Sequence, residues 1–69
     1  MPLLLGEAGC TYEIRRVSGN EKDRHYLEGL GFIAGTQVTI ISKFSSYVLV
    51  NIKGARIGIS GHMARRIII

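Results

Sequence analysis

Apolar and polar residues alternate along most of the second half of the chain. In Tyr47 to Ile52, Val48, Val50 and Ile52 share one face, and Tyr47, Leu49 and Asn51 share the other. A period of two predicts a half-buried strand. Ala55, Ile57 and Ile59 then alternate with Arg56, Gly58 and Ser60, and Lys53-Gly54 between the two runs predicts a hairpin turn. Thr36 to Ile41 repeats the pattern with Val38 and Ile40 inward. Thr11 to Val17 predicts the first strand, with Tyr12 and Ile14 on one face and Glu13 and Arg15 on the other. Placing Val17 inside as well requires a bulge near Arg15-Arg16. Ile67-Ile68-Ile69 closes the chain as a last strand. Five short strands of this period predict a mainly β fold, a small barrel or strongly curved sheet. Pairing of the first strand with the last would close it and remove exposed edges.

The period changes between the first and second strands. Ser18-Gly19-Asn20-Glu21 fits a capping box, with Asn20 as a competing N-cap, and a helix runs from there to about Leu30. Tyr26, Leu27 and Leu30 lie on one stripe at helical spacing, which predicts packing under the barrel. Glu21 with His25 and Arg24 with Glu28 are spaced to support the outer side. Gly31 follows the last apolar residue, where a left-handed stop favours glycine. A turn at Ala34-Gly35 leads into the second strand. Ser42 to Ser46 forms a loop, with Phe44 exposed in it or folded back, and Ser60 caps a helical turn over Gly61 to Arg65. Met1 to Gly6 is an apolar lead-in, either a docking arm or a first turn. The predicted order is strand, inserted short helix, three strands, C-terminal helical turn, strand.

Composition narrows the function classes. Sixty-nine residues make one domain, residues 1–69, too small for a deep cleft between lobes. A hydrophobic content of 46% supports a folded core. The net charge of +4 points to an anionic partner, but the basic residues are scattered, with only Arg15-Arg16 and Arg65-Arg66 adjacent. A nucleic-acid module shows a denser basic stripe with interleaved aromatics, so nucleic acid is not the expected partner. The single cysteine, Cys10, excludes an intramolecular disulfide and suits a reducing compartment. Leu3-Leu4-Leu5 before Ala8-Gly9-Cys10 lacks the basic flank and apolar length of a lipoprotein signal. The chain reads as cytoplasmic.

Few residues offer chemistry. His25, His62 and Cys10 match no local metal motif, and the histidines read as surface residues. Cys10 has no histidine or basic neighbour in sequence and reads as a small, buried, inert thiol. Gly29 and Gly31 follow a helix instead of opening one, so they form no phosphate loop. No catalytic residue, cofactor or metal is expected. Phe44 and Tyr47 flank Ser45-Ser46 in a loop without a clear core role. They are the expected anchors of a partner surface, with Arg24 and Arg56 as orienting charges and Arg15, Arg16, Arg65 and Arg66 as rim charges.

These segments together resemble a known family. Arg24-x-x-Leu27-x-x-Leu30-Gly31-Phe32-Ile33-Ala34-Gly35-Thr36-x-Val38 is similar to the signature of the FeoA family, ferrous iron transport protein A. Val48-Leu49-Val50-Asn51-Ile52-Lys53-Gly54-Ala55-Arg56-Ile57-Gly58-Ile59, Ala64-Arg65-Arg66-Ile67-Ile68-Ile69 and the opening around Gly9 and Arg16-Val17-Ser18-Gly19 also fit. The family often has proline where this chain has Ala34, a difference that touches turn rigidity only. The resemblance implies an SH3-like β-barrel with an inserted helix. It also implies a non-catalytic bacterial cytoplasmic protein working with FeoB, the membrane ferrous-iron permease with a cytosolic G-domain. The alternatives are a nucleic-acid-binding barrel, marked by steep salt dependence, and a metal-sensing domain, marked by a ligand cluster.

Overall fold

The computed structural model describes Met1–Ile69. A 3-10 turn, Leu3–Leu5, precedes strands β1 (Thr11–Glu13) and β2 (Arg16–Val17), helix α1 (Glu21–Gly29) and strands β3 (Gln37–Lys43), β4 (Tyr47–Ile52) and β5 (Ala55–Ser60). Helix α2 (Gly61–Ala64) and strand β6 (Ile67–Ile68) complete the chain. The fold is mainly β. It has six strands where the alternation predicts five, because the expected first strand is two. β1 joins a four-stranded antiparallel sheet in the order β1-β3-β4-β5, and β2 pairs with β6 in a separate two-stranded sheet.

The break falls at Ile14-Arg15, where the backbone passes from one sheet to the other. The Ile14 amide donates to the Thr36 carbonyl at 2.9 Å, and the next amide, Arg15, donates to Ile68 at 2.7 Å. Arg16 then faces Ile68, and Val17 faces Ile67. The expected bulge near Arg15-Arg16 is thus a change of sheet; the first and last segments do pair, but in a separate two-stranded sheet that leaves β1 and β5 as edges of the larger one. An irregularity the sequence pattern does not signal lies in β3, between Ile40 and Ser42. Strand β3 also runs on to Lys43, which shortens the following loop to Phe44-Ser45-Ser46.

Thirteen buried hydrophobic residues form one cluster, to which both sheets, α1, α2 and the 3-10 turn contribute. Val38, Ile40, Val48, Val50, Ile52 and Ile59 supply the four-stranded sheet's face, and Leu3, Ile14, Leu27, Phe32, Ala64, Ile67 and Ile69 cover it. The apolar lead-in is a packed first turn, not a docking arm. Leu3 is fully buried, Pro2 bridges Ile68, and Met1 and Ile69 exchange main-chain bonds of 2.7 Å.

Helix α1 begins at Asn20, whose side chain accepts from the Asp23 amide at 2.8 Å. Ser18 does not cap it; its hydroxyl donates to the Arg66 carbonyl at 3.1 Å. The helix ends at Gly31, φ 105°, in a Schellman stop. The Phe32 amide donates to Leu27 and the Gly31 amide to Glu28, both at 3.0 Å. Leu27 and Phe32, the residues this motif brings together, are both fully buried. Tyr26 departs from the expected stripe: it is 54% exposed, so the buried face narrows to Leu27 with half-buried Leu30. Glu21 and His25 approach to 3.9 Å on the outer side, whereas Arg24 and Glu28 do not pair. Ser60 caps α2 as expected, accepting from Met63 at 3.2 Å.

Two substitutions test this packing. A Cβ on Gly6 would lie 2.7 Å from Ile40 Cδ1, 2.9 Å from the Tyr12 ring and 3.2 Å from the Leu3 carbonyl. Gly6→Ala should therefore destabilise the fold by about 1–3 kcal/mol, read from urea unfolding. Asn20→Ala should cost about 1 kcal/mol by the same measurement. If Ser18→Ala lowers helix content while Asn20→Ala leaves stability unchanged, this cap assignment is wrong.

Candidate functional site

No polar or charged side chain is buried, so chemistry and recognition both belong to the surface. The most distinctive surface feature is an aromatic pair at the β3–β4 hairpin. Phe44 and Tyr47 stack with ring centroids 4.5 Å apart and planes inclined by 14°. A main-chain bond from the Phe44 amide to the Tyr47 carbonyl, 2.8 Å, pins the two ends of the tip. The neighbouring Lys43 ammonium donates to the Gly6 carbonyl at 3.0 Å, tying the tip to the first turn. Both rings stay open to solvent, Phe44 by 51% and Tyr47 by 42%. Phe44 is therefore exposed in the loop, not folded back onto the barrel end.

Strand pairing carries this feature onto the outer face of β4 and β5. Tyr47 faces Ser60, Leu49 faces Gly58 and Asn51 faces Arg56. The Tyr47 ring leans over Gly58: a Cβ built there would lie 3.6 Å from Tyr47 Cδ2. An aromatic ring thus covers the sheet where the glycine contributes no side chain. Arg56 is exposed two residues along the same face. The Lys53-Gly54 turn beyond it has positive φ at both residues, 52° and 79°, which suits the right-handed twist of a two-residue hairpin.

The structure therefore brings together Phe44, Tyr47 and Arg56 of the four expected partner residues. Arg24 is exposed on α1, whose main strand contact is β2, and lies outside this face. Of the expected rim charges, Arg15, Arg16 and Arg65 are exposed and Arg66 is half-buried. Cys10 corrects the sequence reading: it is exposed, not buried. It sits just before β1, where its carbonyl accepts from the Ile40 amide at 3.0 Å.

One cluster was missed. Asp23 on α1, with its side chain 15% exposed, lies 3.8 Å from His62 Nε2 of α2 and 3.8 Å from Arg66 Nε. It links the two helices. The pattern gave no hint of this, because the three residues meet only through tertiary packing. His25 is paired with Glu21 and His62 with Asp23, and no three His, Cys, Asp or Glu side chains gather as a metal site. A cleft of about 380 Å³ opens beside β1, lined by Thr11, Tyr12, Glu13, Arg15 and Ile69. No helix is long and apolar enough to cross a membrane.

No functionally curated relative matches the chain at the sequence level. A crystal structure of the iron uptake regulatory protein FeoA superposes with a TM-score of 0.90 at 19% identity, covering 97% of this chain and 91% of that one. The zinc-complexed FeoA of Stenotrophomonas maltophilia gives a TM-score of 0.86 at 22% identity, covering 99% and 87%. That protein is described as a prokaryotic SH3-domain protein and a candidate activating factor for bacterial ferrous iron transport. A manganese-dependent transcriptional repressor carries the same fold over 39% of its length, with a TM-score of 0.88 at 18% identity and 97% of this chain covered. These likenesses give the SH3-like fold. The FeoA domain model matches residues 1–69, the whole sequence, and the chain belongs to the FeoA family, a family implicated in ferrous iron transport.

Proposed function

We propose that this chain is a non-catalytic docking module of ferrous iron transport, acting in the cytoplasm on the FeoB membrane permease. The observation that carries the reading is the stacked, solvent-exposed pair of Phe44 and Tyr47. Two large rings held in one geometry before any partner arrives have little left to lose in ordering, and aromatic side chains dominate interface hot spots. Arg56 stands on the same face and would orient an acidic partner. Arg24, on α1, enters this reading only as a second, separate contact.

Such a module changes transport by favouring one conformation of its partner. It can do so only to the extent that it binds the two states unequally. That every polar or charged residue keeps some solvent exposure is consistent with a role carried by the surface.

The test is binding of the full chain to purified full-length FeoB in detergent or nanodiscs. Phe44→Ala with Tyr47→Ala should weaken it by about tenfold or more, with unfolding still cooperative. Undiminished binding by the folded double variant would remove these rings as anchors. No binding by the unmodified chain would remove the partner.

A further inference from the structure

The four-stranded sheet ends in two free edges, β1 and β5. Which backbone groups of β5 face outward follows from the ladder. The Ile40 amide donates to Cys10 and the Ile40 carbonyl accepts from Gly9, so Ile40 bonds toward β1. Its neighbour Thr39 therefore bonds toward β4, where it faces Asn51. Asn51 being committed to β3, Val50 and Ile52 bond toward β5, facing Ile57 and Ala55. That leaves the N–H and C=O groups of Arg56 and Gly58 pointing away from the sheet.

This edge carries the Arg56 charge and lacks other usual protections. β5 spans six residues, Ala55–Ser60, with neither proline nor register shift in its pairing. β1 is cut to three residues, Thr11–Glu13, by the crossing to the other sheet. On the outer face, Gly58 leaves room beside its backbone, and the Tyr47 ring that leans over it is backed by Phe44. Arg56, two residues away, supplies a cation on a chain of net charge +4.

We infer that β5 is a strand-addition edge for an extended acidic segment of a partner protein. The incoming strand takes main-chain bonds from Arg56 and Gly58. It sets a carboxylate against Arg56 and a large apolar side chain opposite Gly58, against the Tyr47 ring. Side chains on one face of a strand recur every second residue, so the recognised pattern is apolar-x-acidic for antiparallel addition. An acidic segment suits both the Arg56 cation and the chain's net charge of +4, whereas a second copy carries that same net charge. The inference rests on the reading of the chain as a docking module and specifies what its aromatic face takes.

The test uses the full chain, isotope-labelled, titrated with the capped peptide Ser-Thr-Phe-Thr-Glu-Thr-Ser and followed by amide NMR. The largest shifts should fall on Arg56, Gly58 and Tyr47, with slowed exchange of the Arg56 and Gly58 amides. A peptide with Phe and Glu adjacent sends the two side chains to opposite faces and should bind several-fold more weakly. Arg56→Glu should weaken the first peptide about fivefold and favour its Lys-for-Glu counterpart. Gly58→Pro removes an outward N–H and sets a ring against Tyr47, and should abolish the response with the β4–β5 ladder kept. If that variant does not fold, Arg56→Glu and the spacing control decide. Shifts centred on Thr11–Glu13, equal response to both peptides, or β5 shifts that follow protein concentration and not peptide would each overturn the inference. FeoB binding that survives Arg56→Glu and Gly58→Pro but fails with the ring variants would overturn strand addition while leaving the docking module intact.

Discussion

The rest of this structure depends on the passage of the backbone between sheets at Ile14-Arg15. Within two residues the chain makes three main-chain bonds to two separate parts of the molecule. Ile14 donates to Thr36 and accepts from Gly35 at 2.7 Å, and Arg15 donates to Ile68. The first two bonds fix the turn that follows α1, and the third fixes the C-terminal strand. Ile14 is fully buried at this joint, so its side chain fills the core while its backbone connects the sheets. A domain of this size buries a modest fraction of its surface. It gains order by making few residues serve several elements at once.

The same economy explains why both chain ends are fixed. Leu3 and Ile69 belong to the core cluster, and Met1, Pro2, Ile68 and Ile69 bond to one another at the main chain. Helix α1 docks through Leu27 and the Schellman stop that brings Phe32 beneath it. Asp23, one helical turn before Leu27, adds a polar link to His62 and Arg66. With no polar side chain buried, the interior is committed to cohesion, and specificity is left to the outside.

Features set by local chemistry were legible in the sequence. The period-two runs gave β4 and β5 to the residue, the Lys53-Gly54 turn between them and the inward sets Val38/Ile40 and Val48/Val50/Ile52. Gly31 and Ser60 marked a helix stop and a helix start because each satisfies orphan backbone groups within a few residues. Features that depend on distant partners were not legible. Thr11 to Val17 alternates as one strand, and only the competing claims of Thr36 and Ile68 on adjacent amides divide it. Ser18 and Asn20 both satisfy the capping rule, and the remote carbonyl of Arg66 takes Ser18 away. Tyr26 has helical spacing with Leu27 and Leu30, yet the slot beneath α1 accepts only the narrower stripe. Small thiols favour interiors, but Cys10 lies at an exposed approach to β1. The loop aromatics Phe44 and Tyr47 could be picked out from the sequence. Their stacking could not, since it follows from a hairpin tip closed by the Phe44–Tyr47 main-chain bond.

That stacking bears on what the outer face can do. An isolated exposed ring samples several rotamers, and a partner that fixes it must offset the lost freedom. Here Phe44 lies flat on Tyr47, and Tyr47 lies over Gly58, so each ring is held by the next layer beneath it. Gly58 lies at the base of the arrangement: a Cβ there would meet the Tyr47 ring at ordinary contact distance, 3.6 Å, and a larger side chain would compete with it for space. The glycine that weakens β5 by contributing no side chain is also what lets the ring lie low against the sheet. The strand's packing deficit and the exposed aromatic face thus meet at one place, at Gly58 and the Tyr47 ring diagonally across from it.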